Sequence, residues 1–440
     1  MQTDTGLRLE SFAPGYDGAD PPAADAATAN WLEAVRLGFH EPRADPERLP
    51  AMVDAYRRDG RVLTGVYDDE SPDGAWDAAI PVATYATMVN TLNVGGGQLL
   101  PAHLVTCVTV RATHRRRGIL RRMITADLAA AQESGLAVAA LTASEATIYG
   151  RFGFGAATST AAVAVDTRNG LGFRAPAAGM AVIADSARLL ELAPEIFRAH
   201  HSRTAGALGR QHAYALRASG AWSEHTSEPD KELRAVLHYD AAGNPDGYAT
   251  YKFTGWDTEP QTLKITDLIA ATGEAYRELW RFLGSIDLVD RLTYDAAPLA
   301  DPLPWMLADR RRYGVTGVED VLWLRILDTR AALEARHYTG SGAVVLTVAD
   351  PLGLAAGTWH LAAEGGRGTA TELPGGTSPA GLPGVPAAEI DADALGSLYL
   401  GGVSAATLAA AGGIRGGAAA LDAIDALFTA GKAPYCNTHF

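Results

Sequence analysis

Val108-Thr109-Val110-Arg111-Ala112-Thr113-His114-Arg115-Arg116-Arg117-Gly118-Ile119-Leu120-Arg121-Arg122 is the stretch on which the fold turns. A β-branched run ends at Val110, and from about Arg117 to Ser134 the apolar residues Leu120, Met123, Ile124 and Leu128 recur at helical spacing. Between strand and helix stand five arginines within eight residues, in a chain whose formal charge is −14. A helix N-terminus offers unpaired N–H groups and the positive end of the macrodipole, and Gly118 lets a ligand approach the backbone with no Cβ in the way. Together they predict an anion cradle; a solvated basic helix end is the alternative that charge alone leaves open.

Upstream, Arg61–Tyr67 and Ile80–Val89 are β-branched runs, and Gly95-Gly96-Gly97 separates the second from Ala102–Val110, which reads as an antiparallel meander. Downstream, the apolar run Ala137–Leu141 predicts a strand after the helix, so the order is that of a mixed α/β (α+β) sheet. Residues 1–27, rich in Ala, Asp and Pro, are expected to be a mobile lead-in, with an N-terminal domain over 28–168. A second domain, 169–318, repeats the order with a helix from Ser186, a hairpin turning at Ala242–Pro245, a strand Leu263–Ile269 and a helix Ala275–Leu283. There Ala270-Ala271-Thr272-Gly273-Glu274-Ala275 has no arginine cluster and sets an acid where an anion would sit, so one active site per chain is expected. The third segment, 319–440, has a middle, Gly365–Ala388, expected to be turns and loops. It ends in Ala- and Leu-rich helical windows broken by Gly401-Gly402 and Gly412-Gly413.

At 440 residues, of which 48% are hydrophobic and 20% charged, the chain suits about three packed domains and excludes wholesale disorder. Asp plus Glu number 51 against 37 for Lys plus Arg, which disfavours nucleic acid and favours a cationic or amine-bearing partner. Two cysteines, Cys107 and Cys436, make no disulfide framework, and a reducing compartment, the cytoplasm, is the expectation. Neither a signal peptide nor a membrane span is expected, and no metal: His200-His201 lacks ligand spacing, and neither His-Glu-x-x-His nor Gly-x-Ser-x-Gly occurs.

With its flanks Ala137–Leu141 and Ser144–Phe154, the arginine loop resembles the acetyl-CoA half of the GCN5-related N-acetyltransferase (GNAT) fold. Its loop pattern is Gln/Arg-x-x-Gly-x-Gly/Ala, from which Leu120 departs at the last place. Ile148-Tyr149-Gly150-Arg151-Phe152-Gly153-Phe154, Ser397–Gly402 and the final Phe440 narrow the resemblance to the Eis (enhanced intracellular survival) acetyltransferases of actinobacteria. That resemblance implies two fused GNAT-like mixed-sheet domains and a C-terminal sterol-carrier-protein-like domain whose end returns to the active site. It also implies acetyl-CoA as donor and a homo-hexamer. By it, Val108, Thr109 and Val110 would hold the pantetheine arm as a further β-ladder partner. Arg116, Arg117, Gly118, Ile119, Leu120 and Arg121 would bind the pyrophosphate, and Ser144 with Glu145 would line the cofactor further along.

Tyr149 would be the general acid, and its chemistry stands independently, since a phenol of pKa about 10 can protonate a departing thiolate. An aromatic plug beside Phe152 and Phe154 is the other reading of that residue. The tail Ala433–Phe440 carries two aromatics and a thiol, unlike a frayed end, and is expected to dock. In the family the terminal carboxylate accepts the proton, the place Phe440 takes here; a merely buried terminus is the alternative. The function implied is acetyl transfer to primary amines of cationic small molecules, aminoglycosides by resemblance, or of lysine side chains, by direct attack in a ternary complex. The competing class is a lipid- or protein-binding module built on the third domain.

Overall fold

The computed structural model describes residues 6–70, 72–223, 227–374 and 382–440, arranged as three mixed sheets with helices packed on them. The first sheet runs in the order Leu7–Phe12, Val62–Asp68, Ala83–Asn93, Leu99–Val110, Val138–Thr142, Leu322–Ile326, Gly155–Ala156. Each pairing is antiparallel except that between Leu99–Val110 and Val138–Thr142. Helix Ala26–Gly38 starts where the Asp25 side chain accepts from the Thr28 N–H, and it lays Trp31 and Leu32 on Leu63 and Ala86. The opposite face takes Met123, Ile124 and Leu128 of helix Ile119–Glu133, against Val66, Tyr85 and Val105.

The second sheet has the order Tyr313–Asp320, Ser159–Asp166, Arg291–Pro298, Thr262–Ala270, Pro245–Phe253, Arg234–Tyr239, Met180–Ala184. The third has Arg367–Leu373, Gly357–Glu364, Gly342–Ala349, Ala387–Asp391, Ile414–Gly416. Helices Ala392–Leu398, Ala405–Ala410 and Ala418–Phe428 fill the windows that the paired glycines mark off.

Three expectations differ from what is observed. The lead-in supplies an edge strand, because Leu7–Phe12 pairs along its length with Val62–Asp68. The segment Gly365–Ala388 is not all loop: Gly365 and Gly366, at φ +58° and +86°, make a two-residue hairpin that pairs Glu364 with Arg367 and starts the strand Arg367–Leu373. Residues 375–381 of that segment, like 1–5 of the lead-in, lie outside the described residues. The domains also exchange strands across the expected boundaries. Ser159–Asp166, assigned to the first domain, lies in the second sheet, and Leu322–Ile326, assigned to the third, lies in the first sheet. The apolar alternation of these strands is satisfied equally well on either sheet, so local pattern cannot assign them.

First and third domains share one continuous core, in which Met88, Leu104 and Ala140 pack with Leu346, Leu361, Leu395 and Phe428. Within it Arg325, on a first-sheet strand, donates to Asp350 of the third domain at 2.5 Å with both side chains fully buried. Among the described residues the guanidinium Nε and Nη1 have no hydrogen-bond partner, whereas Asp350 also accepts the N–H groups of Leu352 and Ala355. Removing Asp350 therefore strands a buried cation, while removing Arg325 leaves the carboxylate with two donors. Asp350→Ala should cost about 3–5 kcal/mol in urea unfolding, and Arg325→Met distinctly less; equal losses would contradict this asymmetry.

Candidate active site

Leu99–Val110 and Val138–Thr142 are in register only over Ala102↔Val138, His103↔Ala139 and Leu104↔Ala140, and then part. The cause lies in Cys107, whose φ of +52° puts an extra residue into the ladder with Ala83–Asn93, so that Thr84 faces Thr109 while Ala86 faces Thr106. Beyond Leu104 the strand keeps its partner on the Ala83–Asn93 side alone, up to Val110. Its other edge, with the backbone of Val108, Thr109 and Val110, is free to pair with an extended ligand.

At the end of this strand Arg116 and Gly118 both turn left-handed, with φ of +65° and +79°, and helix Ile119–Glu133 begins with no side chain capping it. A Cβ on Gly118 would meet nothing within 4 Å. Arg115, Arg116, Arg117, Arg121 and Arg122 are exposed around that open N-terminus. Arg117 lies 3.9 Å from Asp68, whose carboxyl is held below its usual range first by the His114 ring at 2.9 Å and further by Arg117. Ile119 is buried in the core and Leu120 packs beside it, so only their backbone faces the cradle. The residues thus fit a phosphate-bearing, extended ligand such as acetyl-CoA.

In the parting lies a cavity of about 270 Å³ lined by Val105–Val108, Thr142–Ser144, Tyr149, Phe39, His439 and Phe440. Tyr149 ends the short helix Ala146–Tyr149 and sits edge-on to Phe154, with ring centroids 6.2 Å apart. Burial pushes its phenol up to about 12, and the Glu145 charge adds to the shift, so the proton is retained at neutral pH. The loop after it is backed by the third domain. Gly153, at φ +81°, leaves room for the Arg325 guanidinium 2.7 Å from where a Cβ would be, and a Cβ on Gly155 would collide with Asp393 and Ser397.

The tail is docked: Tyr435, Cys436, Asn437 and Thr438 are each at most 9% exposed. Phe440 ends beside Thr142, whose hydroxyl donates to the main-chain oxygen of Phe440 at 3.2 Å. Cys436 and Cys107 are both free thiols, and burial pushes the Cys436 thiol up to about 11.

Of the expected residues, Val108, Ser144, Tyr149 and Phe440 meet in one cavity, and the arginine loop stands at the end of the same parted strand. The Thr109 side chain faces away from the gap, bonded to the Thr84 hydroxyl at 2.6 Å and packed where any Cβ on Gly38 would strike it. Glu145 is exposed and acts on Tyr149 through its charge. Phe39, Val105, Thr106, Cys107, Thr142, Ala143 and His439 complete the lining, and the sequence reading does not single them out as site residues. Gly38 beside Phe39 is a faint signal of close approach, but nothing local marks Cys107 as a bulge. Among the described residues no helix is long and apolar enough to cross a membrane, and no group of three or more His, Cys, Asp or Glu gathers as for a metal ion.

Residues 22–157 and 206–326 match two acetyltransferase (GNAT) domain families, and residues 329–437 match a sterol carrier protein domain family. The chain is 37% identical over 437 residues to an uncharacterized N-acetyltransferase of Streptomyces avermitilis, spanning 95% of this chain and 98% of that protein. It is 36% identical over 358 residues to the N-acetyltransferase Eis of Mycobacterium tuberculosis, spanning 78% of this chain and 81% of that protein. The crystal structure of Eis1 from Mycobacterium abscessus matches with a TM-score of 0.75 at 29% identity, over 93% of this chain and 96% of that one. Two GNAT domains, a sterol-carrier-like third domain and relatives of this identity and span show that the chain belongs to the Eis family of GNAT N-acetyltransferases, whose fold implies acetyl-CoA as the acetyl donor.

Proposed function

We propose that this acetyltransferase transfers acetyl from acetyl-CoA directly to a primary amine in a ternary complex, with Tyr149 as acid and the Phe440 carboxylate as base. The acceptor is a cationic small molecule of the aminoglycoside kind or a lysine side chain. One observation carries the reading: Tyr149 and Phe440 line the same cavity, where the two strands part. The free edge at Val108 to Val110 takes the pantetheine amides, and its N–H groups polarise the thioester carbonyl. The arginines and open helix N-terminus hold the pyrophosphate, and Ser144 and Glu145 line the cofactor beyond it. The amine nitrogen attacks the carbonyl carbon, the carbon–sulfur bond breaks, and Tyr149 gives its proton to the thiolate while the carboxylate takes one from the nitrogen. A phenol at about 12 is the weaker acid of the two, so it donates within the transition state rather than beforehand. A carboxylate of ordinary pKa about 3.5 is a weak base for an ammonium and acts here desolvated or through water.

The sterol-carrier match favours a second reading, in which the third domain binds a lipid or protein and acetyl transfer is secondary. Its interior is filled by Leu346, Leu361, Leu395 and Phe428, all fully buried or nearly so. An amine panel scored by free thiol release separates the two readings, since a lipid carrier releases no CoA. Homo-oligomerisation, as a hexamer by family resemblance, belongs to the same proposal and is measured by analytical ultracentrifugation.

Tyr149→Phe keeps the ring and removes the proton donor, so turnover should fall about a hundredfold with acetyl-CoA affinity nearly unchanged; a wild-type rate would remove Tyr149 from the acid role. Arg116→Ala and Gly118→Asp should act the other way, raising the KM for acetyl-CoA several-fold by losing a charge or adding a repulsive one. Calorimetry showing unchanged affinity in both variants would disprove the phosphate cradle. Residues appended beyond Phe440 should abolish activity with Tm nearly unchanged, whereas full activity in such a protein, confirmed intact by mass spectrometry, removes the carboxylate as base.

A further inference from the structure

In the second domain the parallel strands Thr262–Ala270 and Arg291–Pro298 are paired over Thr262↔Arg291 to Ile265↔Tyr294 and then part, repeating the opening of the first domain. Here the chain's own tail enters. Tyr435 donates from its hydroxyl to the Ala296 carbonyl at 2.5 Å, and the Asn437 amide donates to the Tyr294 hydroxyl at 3.5 Å. The helix that follows, Gly273–Leu283, is already capped, because the Thr272 hydroxyl accepts the Ala275 N–H at 3.1 Å.

Two residues past Ile265, the last to pair with Arg291–Pro298, stands Asp267, which accepts from both terminal nitrogens of Arg210, at 2.6 and 2.8 Å. The Arg210 guanidinium is sandwiched between Phe197 and Tyr214, at 4.5 and 4.3 Å from their ring centroids. Tyr214 in turn holds the tail one residue short of its end: its hydroxyl accepts the His439 N–H at 2.5 Å and donates to the His439 carbonyl at 3.1 Å. The helix carrying Tyr214 is tied to the first domain, where Asp59 accepts the His212 N–H at 2.8 Å.

We infer that Tyr214, fixed by the Arg210–Asp267 pair, is a positioning residue for the Phe440 carboxylate, so that the second domain's disused cofactor opening serves as the clamp for the first domain's base. The inference rests on the carboxylate being the base. The clamp lies one residue before the carboxylate, so the two hydrogen bonds of Tyr214 limit where bond rotations at His439 and Phe440 can carry it, alongside the Thr142 hydroxyl that donates to Phe440. A misplacement of about 1 Å costs on the order of a hundredfold in rate.

The test is a double-mutant cycle on the full-length enzyme, pairing Tyr214→Phe with one glycine appended after Phe440, which shifts the carboxylate by up to about 3.5 Å. Tyr214→Phe keeps the ring under Arg210. It should lower kcat at least tenfold, with the KM for acetyl-CoA and the Tm unchanged, and should cause no further loss in the glycine-extended protein. Full activity in the extended protein would remove the base and the inference together. A slow extended protein beside a wild-type Tyr214→Phe rate would overturn the inference alone. So would equal losses from Tyr214→Phe in both backgrounds, because the hydroxyl would then act independently of the carboxylate. Should Tyr214→Phe lower the Tm, Tyr214→His, which keeps an aromatic ring with a polar edge, must recover part of the rate or the positioning role fails.

Discussion

Everything at the site depends on two parallel strands that stay paired for three residues and then separate beyond Leu104 and Ala140. An unpaired strand edge inside a protein is costly unless something else satisfies its N–H and C=O groups, so the opening must be held by its surroundings. On one face the Cys107 bulge bends the strand, and helix Ala26–Gly38 presses Gly38 against Thr109. On the other, Val105 and Leu141 share a core with Met123 and Ile124 of the arginine-loop helix. The helix is thereby anchored by the same packing that keeps the strands apart, and its open N-terminus is aimed by the core rather than by the loop.

The second domain has a similar opening, and its own chain occupies it. Its strands part after Ile265 and Tyr294, but Thr272 caps the helix that Gly118 leaves open in the first domain, and the tail supplies polar partners at Ala296 and Tyr294. Burial raises the Tyr294 phenol to about 12, so Tyr294 and Tyr435 meet at 3.4 Å as neutral groups. The opening in the second domain is thus closed by the chain itself, with a threonine cap at its helix and the tail in its parting.

Much of this was legible locally. The five arginines from Arg115 to Arg122, the helical spacing of Leu120 to Leu128 and the apolar Ala137–Leu141 announce the loop and its setting, and Thr272-Gly273-Glu274 announces its absence in the second copy. What was not legible is non-local. Leu322–Ile326 joins the first sheet beside Val138–Thr142 because an edge was open there, and no periodicity within its five residues records that. Cys107 is a bulge because of the register on Ala83–Asn93, and Gly365-Gly366 reads as loop because a tight hairpin and a flexible segment use the same residue. Tyr214 and Arg210 carry no motif; their meaning comes from a tail more than two hundred residues later.

Those non-local features also explain why three domains are fused rather than merely tethered. Tyr149 ends a short helix, and the glycines that follow it are packed by Arg325, Asp393 and Ser397, so the position of Tyr149 depends on the third domain's helix Ala392–Leu398 and on the buried Arg325–Asp350 pair. Phe440 arrives from that same third domain, but by a path through the second. Each of the two groups proposed to move protons is therefore located by a domain other than the one that holds the opening. A cut between domains would leave the first sheet with its edge, its arginines and its bulge, yet without support for Tyr149 and without Phe440. Strand exchange makes such a cut unfavourable at the outset: separating the first domain from the third would strip Val138–Thr142 of its outer neighbour Leu322–Ile326 and uncover the core that Leu104 and Ala140 share with Leu346 and Leu395. The interlocked sheets thus preserve, by ordinary hydrophobic burial, a geometry that the chemistry needs to within fractions of an ångström.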